Sequence, residues 1–256
     1  MSQWFDLSGK TAVIAGGTST LGRSMAEALA AHGAQVAIIG RKADAAAEVV
    51  AQLAEAGGDG QAFLGDMTDE RDIERLHAEV MERYGKVDVL LYCPGVNSAT
   101  PFFELEMEEW DHIMNVNVKG AIRMCQQFGQ SMIGGGSGGS IILISSVSSD
   151  PPLSRVFTYS MSKAALNSMT KYLAREFAPH GVRVNAIIPG FFPAEQNRGI
   201  LSPERVEAIM RHTPMGRFGT PEELQGTAVW LASERASGFV TGALIRVDGG
   251  FGAMTI

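Results

Sequence analysis

The sequence is poor in the features that mark several large protein classes. It has two cysteines, Cys93 and Cys125, in apolar surroundings and without metal-ligand spacing, so they read as free buried thiols. No apolar run approaches the roughly 20 residues that span a bilayer. The opening MSQWFDLSGK lacks the basic stretch and apolar core of a signal peptide. Positive charge is also scarce: 21 Lys and Arg against 28 Asp and Glu leave a net charge of −7. With no basic stripe to neutralise phosphates, neither nucleic acid nor membrane is expected as a partner. Total charge says little about a small anionic substrate, because the local field decides that. The expectation is a cytoplasmic protein that acts on a small molecule.

What is present suits one large core. The 256 residues are 45% hydrophobic and 19% charged, an ordinary globular balance. Short β-branched runs at 11–15, 35–39, 61–64, 87–92, 139–144, 183–187 and 243–247 read as strands. Between them, 20–31, 43–56, 69–84, 106–132, 158–178 and 221–231 read as helices. This alternation predicts an α/β fold, a doubly wound parallel sheet of seven strands with helices on both faces. Gly134–Gly139 reads as a loop between a helix and the fifth strand, and no linker divides the chain. Residues 1–256 are therefore read as a single domain, with a substrate loop or lid at about 190–215.

The first strand runs into Ala15-Gly16-Gly17-Thr18-Ser19-Thr20-Leu21-Gly22 and then into a helix. In that context Gly16 permits a tight turn, Gly22 permits close helix packing, and the helix N-terminus faces a pyrophosphate. A plain turn before a helix fits the same residues. The second strand ends in Ile39-Gly40-Arg41-Lys42 with no carboxylate, and Arg41 can offer a planar fork to the 2′-phosphate of NADP. A solvated Arg-Lys pair is the alternative. Asp66, after the third strand, reads either as an acceptor for the adenine amino group or as a helix cap, with Thr68 competing for the cap.

Tyr159 and Lys163 stand four apart on a predicted helix and so share a face, and Ser145-Ser146 ends the fifth strand at the sheet's carboxyl edge. A tyrosine of pKa ~10 needs a neighbouring positive charge to act as a base near neutrality. Lys163 and a positive nicotinamide ring would supply it, Ser146 can hold a substrate oxygen, and Asn117 can position a relay water. This is a constellation for interconverting an alcohol and a carbonyl.

With these motifs the chain resembles the short-chain dehydrogenases/reductases. The similarity runs from Gly9-Lys10 to Val247-Asp248-Gly249-Gly250 and takes in the glycine loop, Asp66, Asn117, Ser146, Tyr159, Lys163, Arg183–Gly190 and Val240-Thr241-Gly242. The resemblance implies Tyr159 as acid/base, Ser146 orienting substrate, Lys163 also on the nicotinamide ribose and Asn117 in the relay. It implies a cofactor site made of Gly16, Thr18, Ser19, Thr20, Leu21, Gly22, Arg41, Asp66, Met67, Gly95, Tyr159, Lys163, Pro189, Gly190 and Phe192. It also implies NADP, with NAD as the alternative, no metal, and a homotetramer built on the long fifth and sixth helices.

Some positions depart from the family pattern. Ala15 stands for a threonine, Thr20 for a glycine, Tyr92-Cys93-Pro94-Gly95 for Asn-Asn-Ala-Gly, and Ala194 for a threonine. Each removes about one hydrogen bond, roughly 0.5–1.5 kcal/mol, and none touches the four catalytic candidates. In the loop Gly190–Arg198, Phe191 and Phe192 read as anchors. Ser146, Tyr159, Gln196, Asn197 and Arg198 read as substrate contacts, Arg198 for a carboxylate; a solvated loop or subunit contact is the alternative. The loop and the C-terminus look like sugar-acid members of the family, D-mannonate oxidoreductases that reduce D-fructuronate, with gluconate 5-dehydrogenases further off. The alternatives are a 3-oxoacyl-carrier-protein reductase and an NADP-binding sensor without turnover.

Overall fold

The computed structural model describes residues 3–192 and 202–254. Seven strands form one sheet: β1 (Thr11–Ala15), β2 (Gln35–Gly40), β3 (Asp59–Leu64), β4 (Val89–Tyr92), β5 (Gly139–Ile144), β6 (Val182–Pro189) and β7 (Leu244–Val247). Every pairing is parallel, in the spatial order β3-β2-β1-β4-β5-β6-β7. A parallel sheet is covered on both faces, which is why β1, β4 and β6 are buried along their length.

Alternate residues of each strand serve opposite layers. Ala12, Ile14, Val36, Ile38 and Leu91 pack with Met25 and Leu29 of α1 (Thr20–Ala31), Val49 and Leu53 of α2 (Ala43–Glu55) and Leu231 of α8 (Gln225–Ala232). Val13, Ala37, Leu90, Ile141 and Val184 pack with Leu76 of α3 (Glu70–Tyr84), Phe128 of α5 (Gly120–Gly134) and Leu166 of α6 (Phe157–Phe177). The order of the strands reverses between β1 and β4. Open α/β sheets bind ligands at such a switch, beyond the carboxyl ends of the strands.

The element boundaries differ from the sequence reading in a few places. The predicted helix at 106–132 is three pieces: α4 (Met107–Met114), a π-helical segment (Asn115–Lys119) and α5. The segment predicted at 221–231 opens as a 3₁₀ turn, Pro221–Leu224, before α8. The fourth strand begins at Val89, not Val87, and Asp88 just before it takes the Thr11 amide (2.9 Å) and the Lys10 ammonium (3.0 Å) on its carboxylate. Within the span read as a loop or lid at about 190–215 lies a helix, α7 (Pro203–His212), capped by Ser202.

Candidate active site

A cavity of about 720 Å³ opens above the β1–β4 switch. Its floor at one end is the β1 loop. Gly16 sits at φ +72°, in the left-handed region, and a Cβ on Gly22 would run into the Gly16 carbonyl oxygen. Ser19 caps α1: its Oγ accepts from the Gly22 amide (3.2 Å) and donates to the Gly16 carbonyl (2.8 Å). The loop is thus closed on itself, and Thr18, Ser19, Thr20 and Leu21 face the cavity. Gly16 and Gly22 do not line it. They shape the turn from behind.

The Tyr92-Cys93-Pro94-Gly95 departure has its own structural logic. Tyr92 is fully buried, and its hydroxyl donates to the Val116 carbonyl at 2.6 Å. Val116 lies in the π-helical segment, where the wider turn disturbs the usual backbone ladder. A Cβ at Gly120 would collide with that same hydroxyl, so the phenol occupies space that a glycine leaves open. The sequence reading counted only a loss here; the tyrosine brings a bond of its own. Pro94 packs against Gly16, where a Cβ would lie 3.1 Å from its nitrogen, and Cys93 keeps the sheet pairing through its amide to Ala15 (3.0 Å).

Asn117 stands inside the π segment, fully buried and outside the cavity lining. Its Oδ1 accepts from the Val96 amide (2.8 Å), and its Nδ2 donates to the Val96 carbonyl (3.0 Å) and to Ser162 Oγ (2.9 Å). Ser162 Oγ donates in turn to the Tyr159 carbonyl at 2.7 Å. The side chain that was expected to hold a water therefore pins the loop after β4 to α6.

Ser146, Tyr159 and Lys163 do meet at the cavity. Ser146 caps the 3₁₀ turn Val147–Ser149 at the tip of β5, and its Oγ accepts from both the amide (3.2 Å) and the hydroxyl (3.1 Å) of Ser148. With its acceptor sites used, its own proton is left to donate, and the Tyr159 phenol is the neighbour it reaches. Asn167 on α6 bonds Ser149 Oγ (2.8 Å), and Ser149 Oγ donates to the Ser146 carbonyl (2.6 Å), which fixes the turn on the helix that carries Tyr159 and Lys163. Lys163 is buried, donates from Nζ to the Ile144 carbonyl (2.8 Å), and lies 5.5 Å from the centre of the Tyr159 ring.

The electrostatics of this pair follow burial first. Desolvation brings the Lys163 ammonium down to about 8. It pushes the Tyr159 phenol up to about 12, and the Ser146 hydroxyl opposes that rise. In the protein alone the phenol is not made acidic; the sequence expectation joined Lys163 to a positive nicotinamide ring. Gly95 completes this end: a Cβ there would be 3.4 Å from Lys163 Nζ. Pro189, Gly190 and the buried Phe192 close the wall beyond β6.

At the far end the expected selectivity residues lie outside the lining. Arg41 and Asp66 stand at the tips of β2 and β3, their side chains 3.8 Å apart and well exposed. The β2 tip touches the cavity rim through Gly40, where a Cβ would meet Thr18 Cγ2 at 2.8 Å. Asp66 does not cap α3. Its Oδ1 takes the amide (2.9 Å) and hydroxyl (2.8 Å) of Thr68, and Asp69 is the cap. Met67 is buried in the core. Gln196, Asn197 and Arg198, with Ala194, lie outside the described residues.

Several lining residues escaped the sequence reading, among them Cys93, Asn97, Arg155 and Arg205. Only the position of Cys93 beside the cofactor loop offered a local signal. Among the described residues no group of three or more His, Cys, Asp or Glu could hold a metal, and no helix is long and apolar enough to cross a membrane.

Comparison with known proteins agrees with this architecture. A family model described as enoyl-(acyl carrier protein) reductase matches residues 15–252. The oxidoreductase UxuB of Bacillus subtilis (strain 168), itself uncharacterized, is 39% identical over 267 residues, covering 96% of each chain. The 2-dehydro-3-deoxy-D-gluconate 5-dehydrogenase of Dickeya dadantii (strain 3937) is 36% identical over 248 residues, 96% of this chain and 97% of that one. A crystal structure of gluconate 5-dehydrogenase from Burkholderia cenocepacia J2315, in complex with NADP and tartrate, superposes with a TM-score of 0.94 at 30% identity, covering 98% of both chains. Matched along almost its whole length in both sequence and superposed structure, the chain belongs to the short-chain dehydrogenase/reductase family of oxidoreductases.

Proposed function

We propose that this protein interconverts a secondary alcohol and a ketone on a sugar acid or polyol, using NADP, with NAD as the weaker alternative. The observation that carries the reading is the meeting of Ser146, Tyr159 and Lys163 at one cavity whose other end is the β1 loop. The residues fit a dinucleotide: Gly16 and Gly22 let the β1 loop close tightly on itself, and the helix N-terminus at Thr18–Leu21 faces the cavity. When bound, the dinucleotide supplies or takes the hydride.

The proton work falls to this chain. Ser146 donates its hydroxyl proton to the substrate oxygen and so orients the reacting carbon. Tyr159, protonated in the protein alone, gives its proton to the forming alkoxide when a ketone is reduced. In the oxidative direction it must first lose that proton, which a positive charge beside it favours. Lys163 holds an ammonium near the ring, and Asn117 is a positioning residue that fixes the loop carrying Gly95 against α6.

Support for sugar-like substrates comes from relatives named as L-rhamnose 1-dehydrogenase, D-threitol dehydrogenase and 2-dehydro-3-deoxy-D-gluconate 5-dehydrogenase. The specific pair we put forward first is D-mannonate and D-fructuronate. The assembly we propose is a homotetramer on α5 and α6, whose surfaces carry the exposed Ile122, Phe157, Met161 and Tyr172. A second reading is reduction of an oxoacyl thioester; the description of the matching family model names an acyl carrier protein as well, but for reduction of an enoyl group. Cofactor oxidation and reduction measured against sugar acids, polyols and oxoacyl thioesters decides between them. Turnover of thioesters alone would remove the sugar reading, and tight NADP binding with no turnover would make the protein a sensor.

A further inference from the structure

The cavity wall at the Tyr159 end carries two guanidinium groups that the hydride chemistry does not use, Arg155 and Arg205. Both belong to segments outside the sheet: the loop before α6, and α7. Arg205 reaches back from α7 and donates from Nη1 to Ser154 Oγ (2.8 Å) and from Nη2 to the Ser154 carbonyl (3.2 Å). The next residue, Arg155, sits at φ +71°, the non-glycine residue found in the left-handed region among those described. L side chains rarely adopt that backbone, and the residues that persist in it are held there by their surroundings, often at ligand sites. Arg205 provides the hold.

The Arg155 side chain is exposed on the cavity wall, and among the described residues no hydrogen bond or ion pair engages its guanidinium. Glu204 on α7 is the carboxylate whose field it feels. The cavity's own carboxylates lie at the opposite end. Glu27 and Glu48 are paired with Arg23 of α1 (3.4 and 3.1 Å), and Glu222 belongs to the 3₁₀ turn packed on α1. Thus Arg155, Arg205 and Lys163 make the Tyr159 end positive, within a chain whose net charge is −7. A neutral polyol has no use for such a wall, whereas a carboxylate matches the fork of an uncommitted arginine.

We propose that Arg155 is a specificity residue that binds the carboxylate of an anionic sugar substrate while its carbinol carbon lies at Tyr159, so that the enzyme selects sugar acids over neutral polyols. Arg205 acts through Ser154 as the positioning residue. This rests on the sugar reading above and narrows it to the acids.

The test compares the wild type with Arg155→Gln and Arg155→Gly on sugar acids and on neutral polyols of equal chain length. The glycine variant relieves the backbone while removing the guanidinium, which separates the two effects. The expected result is a wild type that prefers the acids, and in both variants a fall of about 30-fold or more in the acid-to-polyol ratio of kcat/KM, carried mainly by KM. A wild type that prefers polyols, or variants that keep the ratio, would overturn the proposal. If the wild type turns over neither class, the sugar reading of the reaction fails. Calorimetric titration with D-gluconate in the presence of NADP then decides the proposal by itself: binding weakened by a similar factor in both variants upholds Arg155 as a carboxylate site, and absent or unaltered binding removes it.

Discussion

The two ends of the cavity are built on opposite principles. At one end Lys163 is 2% exposed, Ser146 is fixed by Ser148, and Ser149 and Asn167 tie the turn to α6. At the other, Arg41 and Asp66 stand 64% and 39% exposed and face each other across 3.8 Å. An exposed pair at that distance contributes little and is screened by salt. A buried, hydrogen-bonded cluster stays set before any ligand arrives. On the proposed reading, the chemistry rests on this buried, hydrogen-bonded geometry, and the choice of dinucleotide on side chains that water already competes for. Changes at the buried end should be large and insensitive to salt, and changes at the exposed end modest and salt-dependent.

The largest contrast is expected from Tyr159→Phe. Loss of the phenol should lower turnover by about 10³-fold or more, with the dinucleotide dissociation constant within about threefold of the wild type. Steady-state rates and a fluorescence titration measure the two quantities, and a variant that keeps most of its rate would show another group to be the acid.

Next comes Lys163→Met, which should lower turnover by about 10²-fold and also change the shape of the stability curve. The buried ammonium has its pKa lowered from 10.5 to about 8. Between those values the unfolded chain binds the extra proton, so the wild type gains stability as pH rises from about 8 toward 10.5. Below about 8 the full cost of burying the charge is present. Urea denaturation across that range should show the rise in the wild type and its loss, by difference, in the variant. Parallel curves would mean that Lys163 is not desolvated.

At the exposed end, Arg41→Ala should weaken NADP by about tenfold relative to NAD at low salt, with the difference shrinking as salt is added. Equal weakening of both dinucleotides would remove Arg41 as the 2′-phosphate ligand. The smallest effect on activity is expected for Tyr92→Phe. It strips the Val116 carbonyl of its partner and should cost about 1–3 kcal/mol of stability, read as a lower urea midpoint, with turnover barely moved. An unchanged midpoint would mean that water takes the place of the phenol.

The same division explains how much was legible in the sequence. Thr11–Ala15 and Thr20–Ala31 could be bounded from sequence because an apolar β-branched run and a helical periodicity are local signals. Ser146, Tyr159 and Lys163 could be grouped because two share a helix face and one ends a strand. The π-helical segment at Asn115–Lys119 was hidden, since the helical periodicity runs straight through it and its carbonyl finds a partner, Tyr92, 24 residues earlier. Arg183 and Asn185 were visible only as parts of a motif. The fold shows Arg183 bonded to Ser237 and the Leu231 carbonyl, and Asn185 to Val240 and Ala243 beside β7. Arg155 gave no sign at all, because the contact that holds its backbone joins Ser154 to a residue 51 positions later.

The central claim is that the Tyr159 phenol exchanges the proton with substrate, and its ionisation can be followed directly by the absorbance difference between wild type and Tyr159→Phe as pH is raised. In the protein alone the phenol should titrate at about 12. With oxidised dinucleotide bound beside Lys163, the account predicts titration at least about two units lower. A phenol that titrates at the same pH with and without the dinucleotide would contradict it.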